Sequence, residues 1–259
     1  MVYGLSTVYS LFLWRRGFRA HDWVNYVLLL VGFGLQMKAM MMRGLASGHC
    51  PVNNLFEAIA FVDAAIVGFF LAIGLWPRLR YLGAFAAPVV FAIGVFGLMP
   101  GLDTHAEKPQ FNLDLVSLHA AFTLLSYGAF GLSFIAGIMY LTQERDLKFH
   151  KLRAVLSLLP PMDRLEKIIN RSLWIGFLLL TLGLGLIPLL LKGRPDANLG
   201  SDPKVIWSGL VWAFYLALLI LHGRFNQSGR RFAWGAVGTF TFVLLTFWGI
   251  NLLSPTHRF

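Results

Sequence analysis

Few residues in this chain are able to do chemistry, and long apolar stretches separate them. His119 stands near the start of one such stretch, ahead of Phe122, Ser126 and Tyr127, and His257 follows the last of them. Two neutral imidazoles brought together can take the opposite axial positions of one haem iron; spacing alone favours the plainer reading, in which each hydrogen-bonds across helices. His222 closes another stretch, fifteen residues after Trp207, which is about 22 Å along a helix. Anything His222 holds therefore belongs to a second site. His49 and Cys50 lie in Ser47-Gly48-His49-Cys50-Pro51, a turn-like segment. Two adjacent ligands are too few for a metal centre, so loop structure is the plainer role. His21, His105 and His150 fall between apolar stretches and read as solvated.

Three further charges are expensive where they stand. Asp63 lies inside the third apolar stretch, Glu57 near its start, and Lys38 within the second. An unpaired charge at such depth is costly, so Lys38 is the expected partner of Glu57 or Asp63, in a structural pair rather than a proton path. Asp202-Pro203 reads as a helix N-cap with proline in the first turn, leading into Trp207 and Trp212.

The elements that must position these groups follow from composition. Of 259 residues 57% are apolar and 13% charged, against roughly a quarter charged in a soluble domain. Runs long enough for a bilayer core of about 20 residues occur near Val2–Trp14, Val24–Met42, Leu55–Leu75, Leu82–Met99, Val116–Leu141, Leu173–Leu191, Val205–Leu221 and Phe232–Leu253. The first is short, yet Arg15, Arg16 and Arg19 follow rather than precede it, and no small-residue cleavage site is evident, so it reads as a retained span. The expected fold is an all-α polytopic membrane bundle of about eight transmembrane helices, a single domain over 1–259.

Counting Lys and Arg in alternate loops gives fifteen on one side and six on the other. The fifteen-charge side is expected to be cytoplasmic, which places both termini on the outer, periplasmic side. The formal charge of +10 is thus mostly orientation, and no nucleic-acid partner is expected. The largest inner loop, about Thr142–Ser172, carries Leu152, Val155, Leu156, Leu165, Ile168 and Ile169 at helical spacing. Broken at Pro160-Pro161, it reads as two amphipathic helices on the membrane surface. The outer Asp-Pro-Lys loop spans about 192–204. The single Cys50 excludes an internal disulfide, a CxxC pair and a haem-attachment CxxCH.

Taken together these segments resemble the CcsA-type cytochrome c synthesis proteins and their HemX and YpjD-like relatives, over nearly the whole chain. Gly48-His49-Cys50-Pro51-Val52-Asn53-Asn54-Leu55-Phe56-Glu57 is similar to the family's GHxPxxNLYE segment, and Leu118-His119 with Leu125-Ser126-Tyr127-Gly128-Ala129-Phe130 to its LHxxxxxLSYxAF span. Gly176-Phe177 through Thr181-Leu182-Gly183 is similar to its IGFPLLTLG helix, Asp202-Pro203-Lys204 with Trp207 to the end of its WDPKETW motif, and Leu221-His222-Gly223-Arg224 to YLHTR. Gly249-Ile250-Asn251-Leu252-Leu253 with His257 is similar to its closing GVNLLxxGLH element.

The resemblance implies a haem-handling protein of the bacterial inner (plasma) membrane. His119 and His257 would ligate haem b at the outer face, beside Asp202 and Trp207, where apocytochrome c receives it. His222 would hold a second haem on the inner side, with a further ligand from a CcsB-like membrane partner. The implied activity is that of a subunit of a cytochrome c haem lyase system, with Lys192, Arg194 or Lys204 facing the propionates. The chain departs from the family in one place: 191–199 contains no Trp. Trp207 and Trp212 are left as the aromatic platform, and a HemX-like regulatory or haem-sequestering protein is the alternative.

Overall fold

A computed structural model describes residues 1–15, 22–47, 52, 54–99, 102, 113–148, 159–190 and 203–253. These residues form helices α1 (Val2–Arg15), α2 (Asp22–Ser47), α3 (Leu55–Ile73), α4 (Gly83–Gly97), α5 (Leu113–Lys148), α6 (Met162–Gly185), α7 (Ile187–Leu190), α8 (Pro203–Phe225) and α9 (Arg230–Leu253), with a 3-10 turn at Pro77–Leu82. Among the described residues there is no β-strand, as an apolar chain of this kind requires if each segment is to satisfy its own backbone in lipid.

Among the described residues, six helical stretches are long and apolar enough to cross a membrane: Trp23–Ala46, Leu55–Ile73, Pro77–Gly97, Leu115–Lys148, Met162–Leu189 and Val205–Phe225. They coincide with the second to seventh expected spans. The first and eighth expected spans are helical as well, but neither α1 nor α9 is among the six; α1, with 14 residues, falls short of the length a bilayer core asks. It is nonetheless part of the bundle. Leu13 is buried, and Ser6 and Ser10 hydrogen-bond Asn25 of α2.

Helix α5 is the centre of the fold and packs against α3, α6 and α9. On one side α1 lies against α2 and α4, and α3 joins that group to α5; on the other, α8 contacts α6 and α9. The close approach of α3 is made at Gly128, where a Cβ would overlap Ala65. Helix α6 approaches at Gly176, where a Cβ would run into the Phe130 ring. Small residues at crossings are the means by which helices associate in lipid, where apolar burial supplies no net drive.

The expected pair of surface helices over Thr142–Ser172 is corrected. Thr142–Lys148 continues α5, residues 149–158 lie outside the described set, and from Met162 the chain forms the first turns of α6, which runs unbroken to Gly185. Pro161 stands at the N-cap, in keeping with the tolerance of proline at a helix start. Leu165, Ile169, Leu173 and Leu180 keep the buried stripe continuous from the polar end into the apolar body.

The connections alternate between two ends of the bundle. Met1, Arg43, Phe56, Glu57 and Leu98 line one cavity, which puts the start of α1, the end of α2, the start of α3 and the end of α4 together. Phe247 near the end of α9 packs on Leu55, Ile59 and Leu102 at that same end.

Candidate functional site

His119 lies in the second turn of α5, and its Nδ1 is 2.7 Å from the Gly183 carbonyl on α6. A carbonyl only accepts, so Nδ1 carries the proton and donates; in the neutral ring the basic lone pair then belongs to Nε2. This is the cross-helix hydrogen bond that spacing also allowed for His119, and it leaves Nε2 in the form that a metal-ligating histidine uses. The local sequence builds it. Gly183 has no side chain to collide with Thr123, whose Cγ2 would lie 2.7 Å from a Cβ there. Thr123 in turn donates to the His119 carbonyl at 2.8 Å.

Two turns further along α5, Tyr127 meets Trp207 of α8 and Phe247 of α9. The three ring centroids lie 6.2, 6.0 and 5.8 Å apart pairwise, tilted or edge-on, the geometry that aromatic quadrupoles favour. Trp207 is 6% exposed, and its indole N–H donates to Thr246 Oγ1 at 2.8 Å. Helices α5, α8 and α9 thus converge on a rigid aromatic wall at the His119 end. Trp207→Phe keeps the ring contacts but loses that hydrogen bond. It is expected to cost about 1 kcal/mol, read as a lower melting temperature in detergent, with Thr246→Val giving a non-additive loss when combined.

Trp212 does not join this wall. Five residues along α8, it points instead to α6, donating to Thr181 Oγ1 at 2.9 Å and packing on Phe177 at 5.4 Å. The expected two-Trp platform is therefore corrected: a helical repeat of 3.6 residues turns the two side chains to different neighbours. Tyr127, which the sequence placed after His119, and Phe247, which it did not single out, take the second tryptophan's place. Their signal was spacing, since Tyr127 follows His119 by eight residues, just over two turns.

His222 lies at the opposite end of α8. Its Nδ1 donates to the Gln227 carbonyl at 2.9 Å, and its ring stacks on Phe232 at 3.9 Å. The turn it closes holds Asn226 at φ 47° and Gly229 at φ 66°, left-handed values that suit Asn and Gly. Glu166 of α6 accepts from the Gly229 N–H at 3.1 Å. With α8 unbroken from Pro203 to Phe225, His222 and Trp207 stand at its two ends, in separate sites. His222 shares the tautomer of His119, with its lone pair on Nε2.

Asp202, His257, His49, Cys50, Lys192 and Arg194 lie outside the described residues. Among the described residues no three His, Cys, Asp or Glu gather as a metal cluster. The expected partner of Glu57 is also corrected. Arg43, one turn and a half beyond Lys38, pairs with it at 2.6 Å, while Lys38 is exposed. Asn54 caps α3 by accepting from the Glu57 N–H at 2.8 Å, which fixes the glutamate where Arg43 meets it.

Comparison with known proteins bears on the whole arrangement. The profile of the family described as "Cytochrome C assembly protein" matches residues 52–257. Protein HemX of Brevibacillus brevis is 31% identical over 231 residues, 86% of this chain and 83% of its own. Cytochrome c biogenesis protein CcsA of Synechococcus sp. (strain RCC307) is 28% identical, over 88% of this chain and 81% of its own. CcsA of Prochlorococcus marinus (strain MIT 9215) is 26% identical, over 89% and 82%.

Proposed function

The chain belongs to the cytochrome c assembly protein family, and from that premise we propose that it handles haem in cytochrome c biogenesis. It is an integral membrane protein, and in this reading it resides in a bacterial inner membrane with both termini outside. It presents haem b at the outer face for attachment to apocytochrome c, alongside a CcsB-like membrane partner. His119 and His257 are the axial ligands, Trp207 and Asp202 border the bound ring, and His222 holds a second haem on the inner side.

The observation that carries this is the His119–Gly183 hydrogen bond. It sets the imidazole in the tautomer that a haem iron needs and clamps its orientation through a backbone atom. The wall of Tyr127, Trp207 and Phe247 suits a flat macrocycle, since aromatic faces and edges are what a porphyrin packs against. When bound, haem supplies the reactive vinyl groups; this chain's residues bind and orient it.

A second reading, a HemX-like protein that binds or sequesters haem without ligating it, is favoured by the absence of Trp in 191–199 and by the likeness to HemX. Purification with added haem separates these readings from others. A b-type optical spectrum is the expected result, and a protein that takes up no haem sinks both. Complementation of a strain lacking cytochrome c synthesis then distinguishes them, growth of holocytochrome supporting attachment and its absence, with haem still bound, supporting the HemX-like role.

A further inference from the structure

The α1–α4 half of the bundle holds a cavity of about 530 Å³, within the range of small-molecule sites. Its walls include Tyr3, Met40, Phe56, Ile59 and Phe91, with Arg43 and Glu57 also on the lining. Asp63, a turn and a half deeper along α3 than Glu57, lies on its lining and is 2% exposed. Asp63 Oδ1 meets no hydrogen-bond donor among the described residues.

The neighbouring donors are already engaged. The Tyr3 hydroxyl donates to Gln36 Oε1 at 2.6 Å, and Gln36 Nε2 donates to the Ala60 carbonyl at 2.8 Å. The Arg43 guanidinium sits on Glu57 and over the Phe56 ring, 5.2 Å from its centroid. Lys38 is exposed and is not on the lining. The opposing helix leaves the carboxyl uncovered, because a Cβ on Gly94 would come within 3.1 Å of Asp63 Oδ2. A buried acceptor with no donor, in a cavity that Tyr3, Phe56 and Phe91 also line, is complementary to a cation: the carboxylate meets its charge and hydrogens, and aromatic rings attract cations.

We propose that this cavity binds an apolar molecule with a primary ammonium head, the head on Asp63 and the body between Phe91, Ile59 and Met40. Neither His119 nor His222 is on its lining.

The test uses the full chain in nanodiscs of uncharged lipid. Dicyclohexylcarbodiimide, an apolar carboxyl reagent, is expected to modify Asp63, located by mass spectrometry. Dodecylamine at ten times its dissociation constant is expected to slow that labelling about tenfold, whereas dodecanol and dodecanoate leave it unchanged. Dodecylamine is also expected to raise the melting temperature of the wild type and of His119→Ala. The rise disappears in Asp63→Asn, which keeps the shape, and in Gly94→Leu, which covers the carboxyl. Equal protection by dodecanol, no protection by dodecylamine, or a rise that survives in Asp63→Asn overturns the proposal.

Discussion

In a His222→Ala background, which removes the inner site, His119→Ala is expected to abolish the remaining b-type haem spectrum of the purified protein while leaving the protein folded. The argument rests on the size of two effects. In structural terms the imidazole contributes one hydrogen bond, to the Gly183 carbonyl, worth about 1 kcal/mol net. That loss does not unfold a bundle whose central helix is packed by three others. As an axial ligand the same ring supplies a bond to iron that alanine cannot replace. The optical spectrum and the melting temperature therefore separate the two roles: a merely structural histidine moves the second and not the first. A finer variant, Gly183→Ala, leaves His119 in place but pushes on Thr123 and displaces the carbonyl that orients the ring. It is expected to weaken haem binding by about 10–100-fold, the usual cost of disturbing the partner of a ligating histidine. An unchanged spectrum on adding His119→Ala to that background removes this residue from the site.

Gly128→Leu is expected to give little or no folded protein. A Cβ at this position overlaps that of Ala65 and lies 3.0 Å from the Ala65 backbone carbon, so relief requires α3 and α5 to move apart. Overpacking against a yielding side chain costs roughly 1–3 kcal/mol; here the obstacle is backbone, and the cost exceeds that range. Size-exclusion profiles and protease sensitivity in detergent read the outcome. Ala65→Gly, which clears the facing Cβ, is expected to restore part of the yield for Gly128→Ala, the pair being in contact and so non-additive. Gly209→Leu is the comparison, since a Cβ there meets nothing within 4 Å among the described residues, and its yield is expected to match the wild type. Recovery of Gly128→Leu at wild-type yield refutes the packing argument.

The sequence was informative where one local rule governed the outcome. Apolar runs bounded by charge gave the helices, because a backbone in lipid has no other way to satisfy itself, and Pro203 did begin α8. Where two rules competed, a single strand of letters could not rank them. The segment after Pro160-Pro161 lies on the membrane surface or starts a span; it starts one, because the buried stripe of Leu165, Ile169 and Leu173 runs on into the apolar body of α6. Glu57 had two cations within reach of α3, and the choice of Arg43 over Lys38 depends on which face of α2 turns inward. The candidate site was legible in its histidines, whose cost in an apolar stretch makes them conspicuous. Its aromatic wall was legible only in part, since Tyr127 stands in the span that follows His119 but Phe247 looks like an ordinary core residue until α5, α8 and α9 are brought together. The tautomer of His119 is likewise invisible without the Gly183 carbonyl beside it.

Helix α8 carries Trp207 near one end and His222 near the other without a break. A continuous helix transmits torque: turning it about its axis by the angle of one residue, about 100°, carries both side chains out of their sites together, and a smaller rotation displaces both in step. Whatever grips one end then resists rotation felt at the other. By linkage, an occupant that holds the His222 end in register stiffens the Trp207 end against the same motion, and the coupling is reciprocal.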